Sequence, residues 1–286
     1  MELYLKEITF VIVSYKAKKV IFNCIDSLPK FSKIIVIENS YDKELKKDLE
    51  SKYDNIEVIL NKNLGMGASN NIGIKKSNTK YAFILNPDVV FKKNTFSALT
   101  EALKKVNDFS IISPINEDSN FPNYVIKKNY QNLSTDIIEV DSVDGFSMLV
   151  NKSKFLDENY FDENFFLYLE NSDLCLRQKN KNEKIYIIKN SKIKHLGSYS
   201  TKQDLSNNLE YLRNWHWMWS KFYYNKKHYG FYTAFNKTFH NLVSSFIKYI
   251  FYSVLFNYHK KKIYKMRFYG LLNSIIGKKS FLRPEI

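Results

Sequence analysis

The chain has 286 residues, 44% of them hydrophobic, which is enough for one large domain plus an appendage. Forty-four Lys and Arg against 29 Asp and Glu give a net charge of +15. That balance points to an anionic partner: a nucleic acid, an anionic lipid surface or an anionic substrate. Two widely separated cysteines, Cys24 and Cys175, exclude a disulfide-built scaffold or a cysteine-held metal and fit free thiols in a reducing compartment.

No basic-then-apolar signal region opens the chain, because Glu2, Lys6 and Glu7 interrupt it, so a cytoplasmic location is expected. From Glu7 to Ser113 two kinds of segment alternate. Short β-branched or aromatic runs at Ile8–Val13, Lys33–Glu38, Ile56–Leu60, Tyr81–Leu85 and Phe109–Ile112 read as strands. Lys16–Leu28, Lys43–Tyr53, Ala68–Ser77 and Asn94–Val106 carry apolar residues at helical spacing. The alternation predicts an α/β fold with a mainly parallel sheet flanked by helices. Residues 115–139, rich in Asn, Asp and Lys with two prolines, read as irregular structure. Val140–Val150 reads as a further strand containing Asp144-Gly145, Phe166–Asn180 as a helix, and Lys184–Ile188 as a last strand.

Pro87 ends the buried run Tyr81–Leu85, so Asp88 is expected just past a strand's carboxyl end. In sheets of this construction that edge opens on the ligand crevice, where a carboxylate can hold a metal ion against a phosphate. Tyr15 after the first strand, Glu38 at the end of the second and the Gly65/Gly67 loop after the third fall on the same rim. There a Tyr ring can stack on a base, a carboxylate can accept from a pyrimidine N–H, and a glycine loop opening a helix can take a diphosphate. The loop is neither Gly-x-Gly-x-x-Gly nor a P-loop, which disfavours dinucleotide and ATP binding. On a helix at about 100° per residue, Glu170, Asp173 and Arg177 share one face, which suits either a salt-bridge ladder or a catalytic carboxylate.

Seven segments in one order carry a resemblance: Val-Ile-Val-Ser-Tyr, Ile-Glu-Asn-Ser, Asn-Leu-Gly-Met-Gly-Ala-Ser-Asn-Asn-Ile-Gly, Leu-Asn-Pro-Asp-Val, Val-Asp-Gly-Phe-Ser-Met-Leu, Phe-Phe-Leu-Tyr-Leu-Glu-Asn-Ser-Asp-Leu-Cys-Leu-Arg and His-Leu-Gly-Ser. Together they resemble family 2 glycosyltransferases of the GT-A fold, above all the bacterial rhamnosyltransferase-like branch, over about Ile8–Ser200. The resemblance implies an inverting, metal-dependent transferase that moves rhamnose or another hexose from a dTDP- or UDP-linked donor. Its acceptor would be a hydroxyl of a growing, lipid-linked or free surface glycan.

The resemblance also implies roles. Asp88 and His195 would hold Mg2+ or Mn2+, with Asn86 standing where many relatives carry a further Asp. Tyr15 and Glu38 would line the nucleoside pocket, and Asn63, Gly65, Asn71 and Gly73 the sugar-diphosphate side. Asp144 would grip sugar hydroxyls. Glu170 would be the base and Asp173 the second candidate, because Asn171 replaces the carboxylate relatives usually carry there.

Residues 1–203 are thus expected to form the catalytic domain, with nucleotide-sugar binding in 1–114 and the acceptor part in 115–203. Residues 204–286 are expected to form an aromatic, basic helical region. Leu205–Tyr224 holds all three tryptophans, and His240–Tyr258 is too polar for a membrane span yet suits a helix lying on a membrane, peripheral at the inner face of the cell membrane. No nucleic-acid partner is expected. The competing readings are a sugar-phosphate nucleotidylyltransferase, whose glycine-rich basic signature Ser14-Tyr-Lys-Ala-Lys does not supply, and a basic membrane- or nucleic-acid-binding module on an inactive fold.

Overall fold

The computed structural model describes residues 2–106, 108–126, 134–155, 157–197 and 203–284. The chain divides into two compact units, Met1–Asp162 with Asn171–Ser200, and Glu163–Glu170 with Thr201–Ile286.

In the first unit a short α1 (Glu2–Leu5), not expected from the sequence, precedes β1 (Ile8–Ser14), α2 (Lys18–Asp26), β2 (Lys33–Glu38), α3 (Lys43–Lys52), β3 (Ile56–Leu60), α4 (Met66–Lys76) and β4 (Tyr81–Leu85), which follow the predicted alternation. Then come β5 (Val89–Phe91), α5 (Thr95–Lys105), β6 (Ile111–Asn116), β7 (Tyr124–Val125), β8 (Ile137–Glu139), β9 (Ser142–Val143), β10 (Ser147–Asn151), α6 (Glu170–Asn180) and β11 (Ile185–His195). The sheet order is β3-β2-β1-β4-β10-β6-β11-β5, with β8 on β11. The sheet is mostly parallel, since only β10, β5 and β8 run against the other strands.

Period-two alternation buries both faces. Phe10, Ile12, Phe83 and Leu85 point into one apolar layer, and Val11, Ala82 and Ile84 into the other. Asp42 caps α3 by accepting from Leu45 N–H at 2.9 Å.

Three sequence expectations are redrawn. The run expected as one strand over Val140–Val150 is two, β9 and β10, parted at Asp144-Gly145-Phe146. The last strand continues past Ile188 to His195, across a register shift between Ile188 and Lys192. Residues 115–139 contribute the short strands β7 and β8, and 127–133 lie outside the described residues.

The second unit contains α7 (Gln203–Tyr229), α8 (Phe231–Val254) and α9 (Tyr258–Ile275), packed around Met218, Phe222, Ala234 and Leu271. The aromatic segment preceding α6 belongs here. Phe165 meets Tyr223 edge-on at 4.9 Å, Phe166 lies 4.6 Å from His216, and Ser220 Oγ donates to Leu167 O at 2.8 Å. That packing accounts for so many aromatic residues in a loop. No helix of the described residues is long and apolar enough to cross a membrane.

Candidate active site

Parallel strands β1, β2 and β4 deliver their carboxyl ends to one rim of the sheet. Ser14 and Glu38 are register partners across β1 and β2, and Asn39 N–H donates to Ser14 O at 2.8 Å. Glu38 is fully buried, and its Oε1 accepts from Ser40 N–H at 2.7 Å and from Ser40 Oγ. Its Oε2 has no partner among the described residues, and neither have Tyr15 Oη, Ser14 Oγ and Asn86 Oδ1. Buried polar atoms are nearly always satisfied, so four orphans at the ends of β1, β2 and β4 mark a surface made for a polar ligand. Burial, with the Glu38 charge adding to it, pushes the Tyr15 phenol above its ordinary value and keeps it protonated.

The glycine loop gives α4 its start. Gly65 is the N-cap at φ 95°, in the left-handed region a side chain disfavours, and Asn63 Oδ1 accepts from Gly65 N–H at 3.1 Å. The other residues expected here hold the framework. Asn71 donates to Phe161 O and accepts from Phe161 N–H, both at 2.9 Å, pinning the stretch that leaves the first unit. A Cβ on Gly73 would collide with Val11 Cγ1, so this glycine lets α4 lie close on β1. Asn39 was not singled out from the sequence. Its Oδ1 accepts from Asn61 Nδ2 at 3.0 Å and Ser69 Oγ at 2.9 Å, tying β2, the end of β3 and α4 together.

Past β4, Pro87 turns the chain and Asp88 sits buried with its Oδ1 3.3 Å from His195 Nε2. Antiparallel pairing of His195 with Val89 and a bond from Leu196 N–H to Asp88 O at 3.0 Å hold the two together. Phe146, at the break between β9 and β10, stacks on the His195 ring at 4.1 Å, and Asn116 Oδ1 accepts from His195 N–H at 3.4 Å. Neither was identified from sequence, although Phe146 lies inside the Asp-Gly-Phe-Ser segment. Asp144 is exposed beside them; the protein around its base raises its carboxyl above the ordinary range while His195 pulls it back.

The pair suits a divalent cation. Its 3.3 Å separation falls between the edges of an octahedron (about 3.0 Å) and a tetrahedron (about 3.4 Å) built on ~2.1 Å bonds. Among the described residues no cluster of three or more His, Cys, Asp or Glu is found. A cation held by Asp88 and His195 would therefore complete its shell from ligand oxygens.

Helix α6 separates the two carboxylates sharing its face. Asp173 is fully buried and accepts from Arg177 Nε at 2.9 Å, while Arg177 donates to the backbone oxygens of Asn159 and Tyr160. Glu170, the first residue of α6, has a buried Oε2 without a partner among the described residues, and burial pushes its carboxyl up to about 7. The two residues before it, Tyr168 and Leu169, hold φ of 70° and 66°, strain of about 1 kcal/mol or more each, of the kind that gathers at functional sites. Asn171 donates to Val143 O at 3.0 Å, a bond an ionised carboxylate at this position could not make.

The model of glycosyl transferase family 2 matches residues 9–191. The low-salt glycan biosynthesis hexosyltransferase Agl10 of Haloferax volcanii is 27% identical over 197 residues, 62% of this chain and 63% of that protein. The rhamnosyltransferase WbbL of Escherichia coli is 27% identical over 172 residues, 50% and 65% of the two chains. The chain thus spans less than two thirds of either relative. Among solved structures, GalNAc-T7 with UDP, GalNAc and Mn2+ matches with a TM-score of 0.55 at 13% identity, over 84% of this chain and 58% of that one. TarS 1-349 of S. aureus matches at 0.51 and 10% identity, over 95% and 92%. At such identities these structures speak for the GT-A fold.

Proposed function

The chain belongs to glycosyl transferase family 2, and on this footing we propose that it is an inverting, metal-dependent transferase of a hexose or 6-deoxyhexose. The donor is a dTDP- or UDP-linked sugar and the acceptor a hydroxyl of a growing, lipid-linked glycan. The observation that carries the reading is the meeting of Asp88 and His195 at the rim where Tyr15, Glu38 and Asn86 keep buried polar atoms unpartnered.

Tyr15 stacks on the base and Glu38 accepts its N–H. Gly65, at the start of α4, leaves room for the diphosphate beside backbone N–H groups. Asp88 and His195 would hold the divalent cation, which when bound would supply positive charge to offset that developing on the departing diphosphate. Asp144 accepts from sugar hydroxyls.

The acceptor hydroxyl ionises far above neutral pH and needs a base. Glu170 takes that role, because a carboxyl near 7 with a lone oxygen free is ionised enough to act and basic enough to accept a proton. It removes the hydroxyl proton as the oxygen attacks the anomeric carbon opposite the leaving diphosphate, which inverts the configuration. Asp173 serves as a positioning residue, holding Arg177 to the backbone beneath.

The test is transfer from dTDP- and UDP-linked hexoses to a lipid-linked saccharide, with proton NMR of the product's anomeric coupling. An inverted product formed only with a divalent ion supports the reading; a retained configuration overturns the role given to Glu170.

A further inference from the structure

Helix α8 is apolar on the wrong side for a helix packed only on its neighbours. Its buried positions are small, Ala234, Thr238 and Ser245. Its large side chains point the other way: Phe239, Val243, Phe246, Ile247, Ile250, Phe251 and Val254 are all exposed, Val254 at 70% and Ile247 at 59%. At 100° per residue they fill an arc of about 140° centred opposite the buried line, over a length of roughly 22 Å. A helix of a water-soluble domain shows the reverse arrangement. Leu255, Phe256 and Tyr258 extend the exposed apolar surface through the turn into α9.

Charge identifies what covers it. Residues 211–284 contain fourteen Lys and Arg and no Asp or Glu, so nearly the whole +15 of the chain resides there. Lys260, Lys261 and Lys262 follow the stripe directly, and Lys248 lies beside it with its ammonium 5.2 Å from the Tyr264 ring. A second copy of this chain would bring two such cationic surfaces together. A nucleic acid would neutralise the lysines and leave the Phe, Ile and Val side chains in water. An anionic lipid leaflet satisfies both, taking the apolar stripe below its headgroups and the lysines among its phosphates. The helix does not cross, since no described helix is apolar enough to span.

We propose that the outward face of α8 is a membrane-docking surface that lies in the plane of an anionic bilayer. This stands on the second unit alone and does not depend on the catalytic reading. The experiment is flotation of the full chain with phosphatidylcholine vesicles, with and without phosphatidylglycerol. Binding is expected with the anionic vesicles and to weaken as salt rises. The triple variant Phe246→Gln, Ile250→Gln, Val254→Gln changes exposed positions only, so its melting temperature should match the wild type while its partitioning falls at least tenfold. Lys260→Gln with Lys261→Gln and Lys262→Gln should lose affinity on the order of fivefold per lysine for anionic vesicles only. The proposal is overturned if the wild type does not float with anionic vesicles, or if the apolar triple floats as well as the wild type. It is also overturned if the wild type is a dimer that the triple dissociates while neither binds vesicles, which would give the face to a second copy.

Discussion

Asp88 Oδ1 lies 3.3 Å from His195 Nε2, and the main chain repeats the pairing through Leu196 N–H to Asp88 O at 3.0 Å. Two residues far apart in sequence are joined because β11 runs on to pair with the three-residue strand β5 that follows Asp88. The site's geometry is thus held by a sheet, which fixes positions better than a loop does.

Asp88→Asn keeps the side chain's shape and leaves the Leu196 bond in place. Divalent-ion-dependent transfer should fall by roughly 10²–10³-fold, as when a stabiliser of developing charge is removed. The melting temperature without ligand should stay close to wild type, measured by differential scanning fluorimetry.

Phe146→Ala removes the ring against which His195 is stacked. Residues that orient a ligand typically contribute 10- to 100-fold in metal affinity, and a loss of about that size is expected in an Mn2+ titration with nucleoside diphosphate present. Phe146→Trp should restore most of it.

As the proposed base, Glu170 is expected to set the pH dependence. With its carboxyl at about 7, the ionised base accumulates as pH rises, so kcat/KM should climb about tenfold per pH unit below 7 and level off above it. Glu170→Gln should lower kcat by roughly 10²–10⁴-fold, abolish that limb and leave donor affinity unchanged. The folded value lies above the ordinary carboxyl value of 4.5, so the folded state holds this proton more tightly and loses stability as pH rises from there through 7. Glu170→Gln should therefore melt higher than wild type at pH above 7.

His216 sets an opposite dependence in the second unit. Its ring is fully buried, Nε2–H donates to Leu282 O at 2.9 Å, and Nδ1 accepts from Ser280 Oγ at 3.0 Å, which fixes the neutral tautomer. Burial lowers its pKa from 6.5 to about 3. The stability of the neutral form is complete above 6.5 and falls by about 1.4 kcal/mol per pH unit below it. In the wild type the opposing slope of Glu170 offsets it, so the test is in Glu170→Gln: urea unfolding followed by fluorescence of Trp215, Trp217 and Trp219, all on α7, should show that slope between pH 6.5 and 5, and adding His216→Phe should flatten it.

Gly73→Ala should cost about 1–3 kcal/mol in urea unfolding, the range for overpacking a core, because Val11 cannot retreat from the centre of β1.

Much of this was legible in the sequence. β2, β3 and β4 fall where β-branched runs placed them; β2 and β4, buried on both faces, read as near-continuous apolar stretches, while the half-exposed edge strand β3 is interrupted by Glu57. The rim position of Asp88 follows from Pro87 alone. What escaped depends on long-range pairing. Three residues of β5 give no periodicity, and the extension of β11 to His195 depends on β5. Asn71 and Gly73 sit in a motif that looks like a ligand loop, yet their contacts are with Phe161 and Val11. The aromatic run before Glu170 announced burial without saying against what; its partners are on α7. Within the helical region expected over 204–286, His240–Tyr258 was read as one apolar-leaning stretch, whereas α8 begins at Phe231 and a turn at Phe256 with φ 53° separates it from α9.

The measurement closest to the central claim is the change in melting temperature with UDP, dTDP, GDP and CMP, each with and without Mn2+, for the wild type and Asp88→Asn. A ligand that binds only the native state raises its stability by mass action. The expected result is a rise with UDP or dTDP that needs Mn2+ and disappears in Asp88→Asn. A rise of equal size without the metal, or one that survives Asp88→Asn, would contradict a donor site built on Asp88 and His195.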